Sequence, residues 1–250
     1  MDDQTIKEAV RERYGRIAKG DLKGCCSETA AVTEGYNTAT SPPESSCGCG
    51  SQATDPADLG LGCGRPTELA GIEPGMTVVD LGSGAGVDVF RAAEKVGPAG
   101  RVIGVDMTPE MIDRAWANAL ERGVRNVEFR LGEIETLPLP DASADLVISN
   151  CVINLVPDKG KAFGEILRIL KPGGRMVVSD IVTRGEMPEE ARRDMALWAG
   201  CVSGAMDRDA YLGLMRQRGF REARVLTEQE YSYGRTDQYA LLSATIEGKK

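Results

Sequence analysis

From residue 65 onward, short unbroken apolar runs alternate with longer stretches in which apolar residues recur at helical spacing. Residues 65–72, "RPTELAGI", predict a short helix, and 75–97, "GMTVVDLGSGAGVDVFRAAEKVG", a strand, a glycine turn and a helix. The order repeats over 100–123. A third strand is expected at 127–134, a fourth at 144–152, a helix at 161–170 and a fifth strand at 173–181. Beyond residue 184, helices are expected around 188–200 and 208–219, and strand-like patterning covers 222–231 and 239–246. Strands alternating with helices imply βαβ units, right-handed crossovers and a mostly parallel sheet. Upstream, 4–19 reads as an amphipathic helix, and 37–60, rich in Ser, Thr, Pro and Gly, as a mobile loop. The expected divisions are an N-terminal helix and Cys-containing segment (1–58), a ligand-binding core (59–184) and a sheet-completing C-terminal region (185–250).

Composition narrows the partners. The 250 residues are 42% hydrophobic and 27% charged, as in an ordinary globular protein, and the net charge of −8 argues against a nucleic-acid surface or an anionic membrane. With neither a membrane-length apolar run nor a leader-like start, a cytoplasmic protein without nucleic-acid or membrane partners is expected. The chain has seven cysteines and no histidine. The commonest general base and metal ligand is therefore missing, and any chemistry must do without imidazole.

Gly82, Gly84 and Gly86 directly follow an apolar strand, where glycines allow a tight turn and a close ligand approach. Asp80 ends that strand, placed to reach a cationic group through water. Asp106 ends the next strand, about 20 residues further on, where an acid suits ribose hydroxyls. The glycine pattern alone does not separate this turn from a nicotinamide-dinucleotide fingerprint. Together with "GVDMTPEMIDRA" and "LKPGG", it resembles the seven-stranded S-adenosylmethionine-dependent methyltransferases. The resemblance implies a Rossmann-like α/β sheet with helices on both faces. It also implies cofactor contacts from Asp80, Gly82, Ser83, Gly84, Gly86 and Asn150, with Asp106 on the ribose and Met107, Glu133 and Ile134 beside the adenine.

Cys151 follows the fourth strand, Cys63 lies between glycines that would expose its backbone and sulfur, and Cys201 sits among small residues. None belongs to a C-x-x-C pair, the usual mark of structural zinc, although Cys47 and Cys49 keep that alternative open. A soft ligand that takes sulfur and needs no nitrogen fits these thiols. Trivalent arsenic is such a ligand. Its lone pair attacks a methyl sulfonium and carries no proton, so that step needs no general base.

The segments "LGLGCG", "DLGSGAG", "NVEFRLGEIETLP", "ISNCVINLVPDK", "LKPGGRMVVSDIV" and "AGCVSGA" resemble the arsenite S-adenosylmethionine methyltransferases from residue 59 to 206. The resemblance implies arsenic held by Cys151 and Cys201, with Cys63 joining them and forming disulfides during turnover. It further implies arsenite and methylarsenite arriving as thiol adducts, thioredoxin or a small thiol as reductant, a monomer, and a role in detoxification. The N-terminal part departs from the family pattern, so the role of Cys25, Cys26, Cys47 or Cys49 stays open. The alternatives are a carbon or oxygen methyltransferase of quinone or sterol type, and a metalloid-binding protein without catalysis.

Overall fold

The structure is a computed structural model that describes residues 2–22, 55–192, 198, 201–231 and 239–250. Cys25, Cys26, Cys47 and Cys49 lie outside the described residues, as does most of the loop expected at 37–60.

Seven strands form one sheet: β1 (Thr77–Leu81), β2 (Arg101–Asp106), β3 (Val127–Leu131), β4 (Ala144–Asn150), β5 (Leu170–Arg184), β6 (Glu222–Glu230) and β7 (Ala240–Lys249). Their order is β3-β2-β1-β4-β5-β7-β6. The first five are parallel, and β7 runs antiparallel to both β5 and β6. The seven-stranded α/β sheet expected from the sequence is therefore present. Helices α2 (Pro66–Leu69), α3 (Val87–Val96) and α4 (Pro109–Arg122) precede β3, and α5 (Lys159–Ile169), α6 (Glu189–Arg192) and α7 (Arg208–Arg218) follow β4.

Successive side chains of β1 point to opposite faces, and the core divides accordingly. Val78 packs with Val89, Phe90 and Ala93 of α3 and Ala115 and Ala119 of α4. Val79 and Leu81 share the other layer with Phe163 and Ile166 of α5 and Tyr211 and Met215 of α7. Because both faces are covered, the central strands carry consecutive buried apolar residues, such as Val78–Val79 in β1 and Leu146–Ile148 in β4, instead of alternating.

Several element boundaries differ from the sequence expectation, and two of the differences have a clear cause. β3 stops at Leu131 and not Ile134, because the chain turns after Gly132 N–H donates to Asp106 O, and Glu133 then bridges Thr136. β5 is longer than 173–181 because β7 pairs with it from Arg175 through Arg184. Such pairing is decided by the partner strand, which a local pattern does not contain.

Helix α1 (Asp3–Lys19) lies against the sheet's carboxyl edge. Asp2 caps it by accepting from Thr5 N–H at 3.0 Å, and Gly20 ends it in the left-handed region at φ 83°. It buries Ile6, Val10 and Ile17, each contributing roughly 1.5–3 kcal/mol. Ile6 and Val10 belong to a third apolar cluster that contains Cys63, Cys151, Leu155, Ile181 and Cys201. No described helix is long and apolar enough to cross a membrane.

Candidate active site

Parallel pairing aligns the strand ends that matter. Leu81 stands beside Val105 and Ser149, and Asn150 beside Ser179. Asp80, Asp106, Asn150, Cys151 and Asp180 thus gather at one edge, where open α/β sheets bind ligands.

A cleft opens there between the glycine turn, the ends of β2 and β4, and α1. The three glycines of the turn differ in function. A Cβ on Gly82 would overlap the Val152 methyl groups, and one on Gly86 would meet Phe90 and Phe129 at 2.9 and 3.0 Å. At both, packing leaves no room for a Cβ, and Gly82 also lines the cleft. Gly84, at φ 51°, has only Met111 Sδ near, at 3.9 Å, so its open side faces the cleft.

Asp106 accepts from Gly84 N–H and Thr108 N–H, each at 2.9 Å, and so ties the first turn to the second. Burial raises its carboxyl above the usual range. Asp80 is raised further, by burial first and then by the negative Asp88 and Asp106. A buried acid held neutral in this way ionises when a cation arrives beside it. Ser83 also lines the cleft, and its buried Oγ has no hydrogen-bond partner. An open glycine backbone and acids awaiting a cation suit a ligand with ribose and a positively charged end.

Glu133 and Met107, expected beside adenine, are reached by α1: Lys7 Nζ pairs with Glu133 at 2.8 Å and with Glu135, and Arg11 contacts both Glu133 and the Met107 carbonyl at 3.3 Å. Ile134 is buried in the cleft wall. That α1 covers this cleft is not evident from its sequence. Its amphipathic pattern marked a helix, but not the surface that the helix would meet.

The three isolated cysteines converge, all buried and with no disulfide joining any two of them. Cys151 and Cys201 adopt φ 63° and 65°, left-handed values that cost a side-chain-bearing residue energy and that cluster at functional sites. Cys151 N–H donates to Ser179 O at 2.7 Å, which extends the β4–β5 ladder by one residue before the chain turns away. Cys201 Sγ–H donates to Cys151 O at 3.0 Å, and Tyr14 of α1 places its hydroxyl 3.9 Å from the same sulfur. Cys63 Sγ–H points to Ser179 O at 3.6 Å.

Contrary to the sequence expectation, the glycines beside Cys63 do not expose its sulfur, since that residue is only 8% exposed. They allow close packing instead: a Cβ on Gly62 would stand 2.7 Å from Asn150 Nδ2, and one on Gly64 2.6 Å from Ser179 Cβ. Asn150 Oδ1 accepts from Cys63 N–H at 3.1 Å and Gly64 N–H at 3.2 Å, while Nδ2 donates to Gly64 O and Asp88 Oδ2. Asn150 borders the cleft and also anchors the Cys63 loop. We expect Asn150→Ala to lower stability by about 1–3 kcal/mol through the lost bonds, and to lower activity further by releasing Cys63. Thermal unfolding and turnover measured together check this, and unchanged turnover would refute the anchoring role.

The contact with Cys201 lowers the Cys151 thiol, but its contact with Cys63, burial, and the unfavourable electrostatics of nearby Cys63 and Asp180 outweigh that and push it well above the ordinary range. The bond to Cys151, then burial, raise Cys201 likewise. Both therefore rest as thiols until a ligand replaces the protons.

A polar frame that the sequence expectation did not include stands behind these thiols. Asn154, fully buried, donates through its backbone N–H to Asp180 at 3.1 Å and through Nδ2 to Ile181 O at 2.6 Å and Cys201 O at 3.2 Å. Lys159 Nζ donates to Asn154 O at 3.2 Å and Val156 O at 3.0 Å, and lies 5.5 Å from the Trp198 ring centre. Burial lowers Lys159 to about 8 and raises Asp180 to about 7. The available signal was the presence of polar residues within otherwise apolar "CVINLV" and "MVVSDIV".

The fold and its carboxyl-edge cleft define a methyltransferase domain. Residues 72–229 match the methyltransferase domain family. The chain is 42% identical to the arsenite methyltransferase of Halobacterium salinarum over all of its own length and 68% of that protein. It is 39% identical to the Homo sapiens arsenite methyltransferase, over 91% of this chain and 61% of that protein. The chain thus spans about two thirds of the length of these curated relatives. Among solved structures, an arsenic(III) S-adenosylmethionine methyltransferase from Chlamydomonas reinhardtii superposes with TM-score 0.72 at 37% identity, covering 84% of this chain and 75% of that one. The chain belongs to the arsenite methyltransferase family.

Proposed function

We propose that the protein methylates trivalent arsenic with S-adenosylmethionine, taking arsenite to methyl- and dimethylarsenicals as a detoxification step. The observation that carries this reading is the convergence of three buried thiols from distant parts of the chain beside a cofactor-type cleft, two of them on strained backbone. Family membership supports it.

In this reading Gly84, Ser83, Asp80 and Asp106 hold S-adenosylmethionine, with Met107, Glu133 and Ile134 on its adenine side. The cofactor supplies an electrophilic methyl group when bound. Asp80 ionises to meet its cationic end, and α1 keeps water from the cleft. Arsenite enters as an adduct of small thiols, and Cys151, Cys201 and Cys63 displace them one at a time. Each cysteine gives its proton to the departing thiolate, so exchange needs no histidine. The frame of Asn154, Asp180 and Lys159 holds the sulfurs so that binding costs little ordering.

Methylation at arsenic formally raises it to the pentavalent state. Two electrons return it to trivalent when two protein thiols, Cys63 and Cys151, close a disulfide. Thioredoxin or a small thiol then reopens that disulfide. Cytoplasmic conditions, which keep thiols reduced, belong to this reading, as does a monomeric chain.

The test is incubation with arsenite, S-adenosylmethionine and a thiol reductant, followed by mass spectrometry of arsenic species. Methylarsenicals are expected. Their absence, in protein that binds the cofactor, would favour the quinone- or sterol-type alternative.

A further inference from the structure

Three donor atoms at the sheet edge form a set that is not three sulfurs. Cys63 Sγ, Cys151 Sγ and a carboxylate oxygen of Asp180 all lie within 4.8 Å of one another, and all three residues are buried. We propose that they form a binding site for a soft or borderline divalent cation, zinc or cadmium. The two sulfurs come from separate elements: Cys63 from the loop before α2, Cys151 from the end of β4. Asp180, on neighbouring β5, supplies the oxygen.

The chemistry of the set separates this ligand from arsenic. Trivalent arsenic is soft and selects sulfur, so a carboxylate adds nothing to its coordination. Zinc accepts thiolate and carboxylate together, with bonds of about 2.3 Å to sulfur and 2.0–2.2 Å to oxygen. Tetrahedral geometry at those lengths separates neighbouring donors by roughly 3.5–4 Å. Binding therefore draws together donors that already stand within 4.8 Å of one another.

The backbone already holds these donors in place. Cys63 N–H is anchored on Asn150 at 3.1 Å and Cys151 N–H on Ser179 O at 2.7 Å. The two Asp180 oxygens accept from Ile181 N–H and Asn154 N–H, both at 3.1 Å, which orients the carboxylate and leaves lone pairs for a metal. Charge balances as well. Two thiolates and one carboxylate meet a dication and the buried Lys159 ammonium, so the filled site is neutral. As each metal–sulfur bond forms, the cysteine proton leaves to the buffer. A cation bound here and an arsenic atom exclude each other at Cys63 and Cys151. That consequence rests on the arsenic reading, whereas the site itself does not.

The experiment is cadmium-113 NMR of the full chain in a thiol-free reductant, without arsenic or methyl donor. One resonance in the range of mixed sulfur and oxygen ligation is expected, and it should vanish in Cys63→Ser and in Cys151→Ser. Chelator competition should show Asp180→Asn binding cadmium about tenfold or more weakly, equivalent to about 1.4 kcal/mol or more. An all-sulfur resonance in the wild type overturns the proposal, and that spectrum needs no variant to fold. Survival of the resonance in both Ser variants, which would assign the metal to the other cysteines, overturns it too, as does wild-type affinity in a folded Asp180→Asn. Methylation assays decide the arsenic reading separately.

Discussion

Replacing Cys151 or Cys201 by Ser is expected to abolish methylation of both arsenite and methylarsenite. Methylarsenite keeps two exchangeable positions and still needs two thiolates, and these two cysteines are neighbours, linked by the Cys201 Sγ–H to Cys151 O bond. A serine hydroxyl is nearly the same size and can keep that bond, but it is a hard donor that arsenic does not favour. Folding and cofactor affinity should therefore survive and isolate the chemical loss. Cys63→Ser should stop turnover of arsenite yet be milder on methylarsenite, which has no third position for its sulfur. Mass spectrometry of arsenic species from the three variants, with thiol reductant present, reads the outcome. Methylarsenite turnover near the wild-type rate in Cys151→Ser would sink the thiolate site.

Gly84→Val is expected to remove S-adenosylmethionine binding while leaving the sheet intact. The φ of 51° costs a side-chain-bearing residue roughly 1–2 kcal/mol, a tolerable loss, and the new side chain fills the cleft instead of the core. Gly82→Ala would act differently, since its Cβ enters the Val152 side chain and damages packing. Asp106→Ala should weaken the cofactor by about 1–3 kcal/mol for a lost bond to a charged group, and it also releases the Gly84 and Thr108 amides. Calorimetry separates these cases, with thermal unfolding as the control. Wild-type affinity in Gly84→Val would place the cofactor elsewhere.

The alternation of apolar strands with helical stretches carried the α/β sheet in the sequence itself, because burial on both faces leaves consecutive apolar residues such as "LVI" at residues 146–148. The glycine turn, Asp80, Asp106 and the three isolated thiols were also legible, since each is a residue type that its position needs for a chemical reason. Their three-dimensional relation was not. Strand register put Asn150 beside Ser179. There Asn150, expected at the cofactor, borders the cleft and also anchors the Cys63 loop, whose thiol is buried although its glycine neighbours suggested exposure. Only the tertiary structure brought Asp180 to the sulfurs, set Lys159 and Asn154 behind them, and laid α1 over the cleft. A sequence pattern records which face of an element is apolar. It does not record which partner covers that face, nor which distant polar groups must meet once their solvent is excluded.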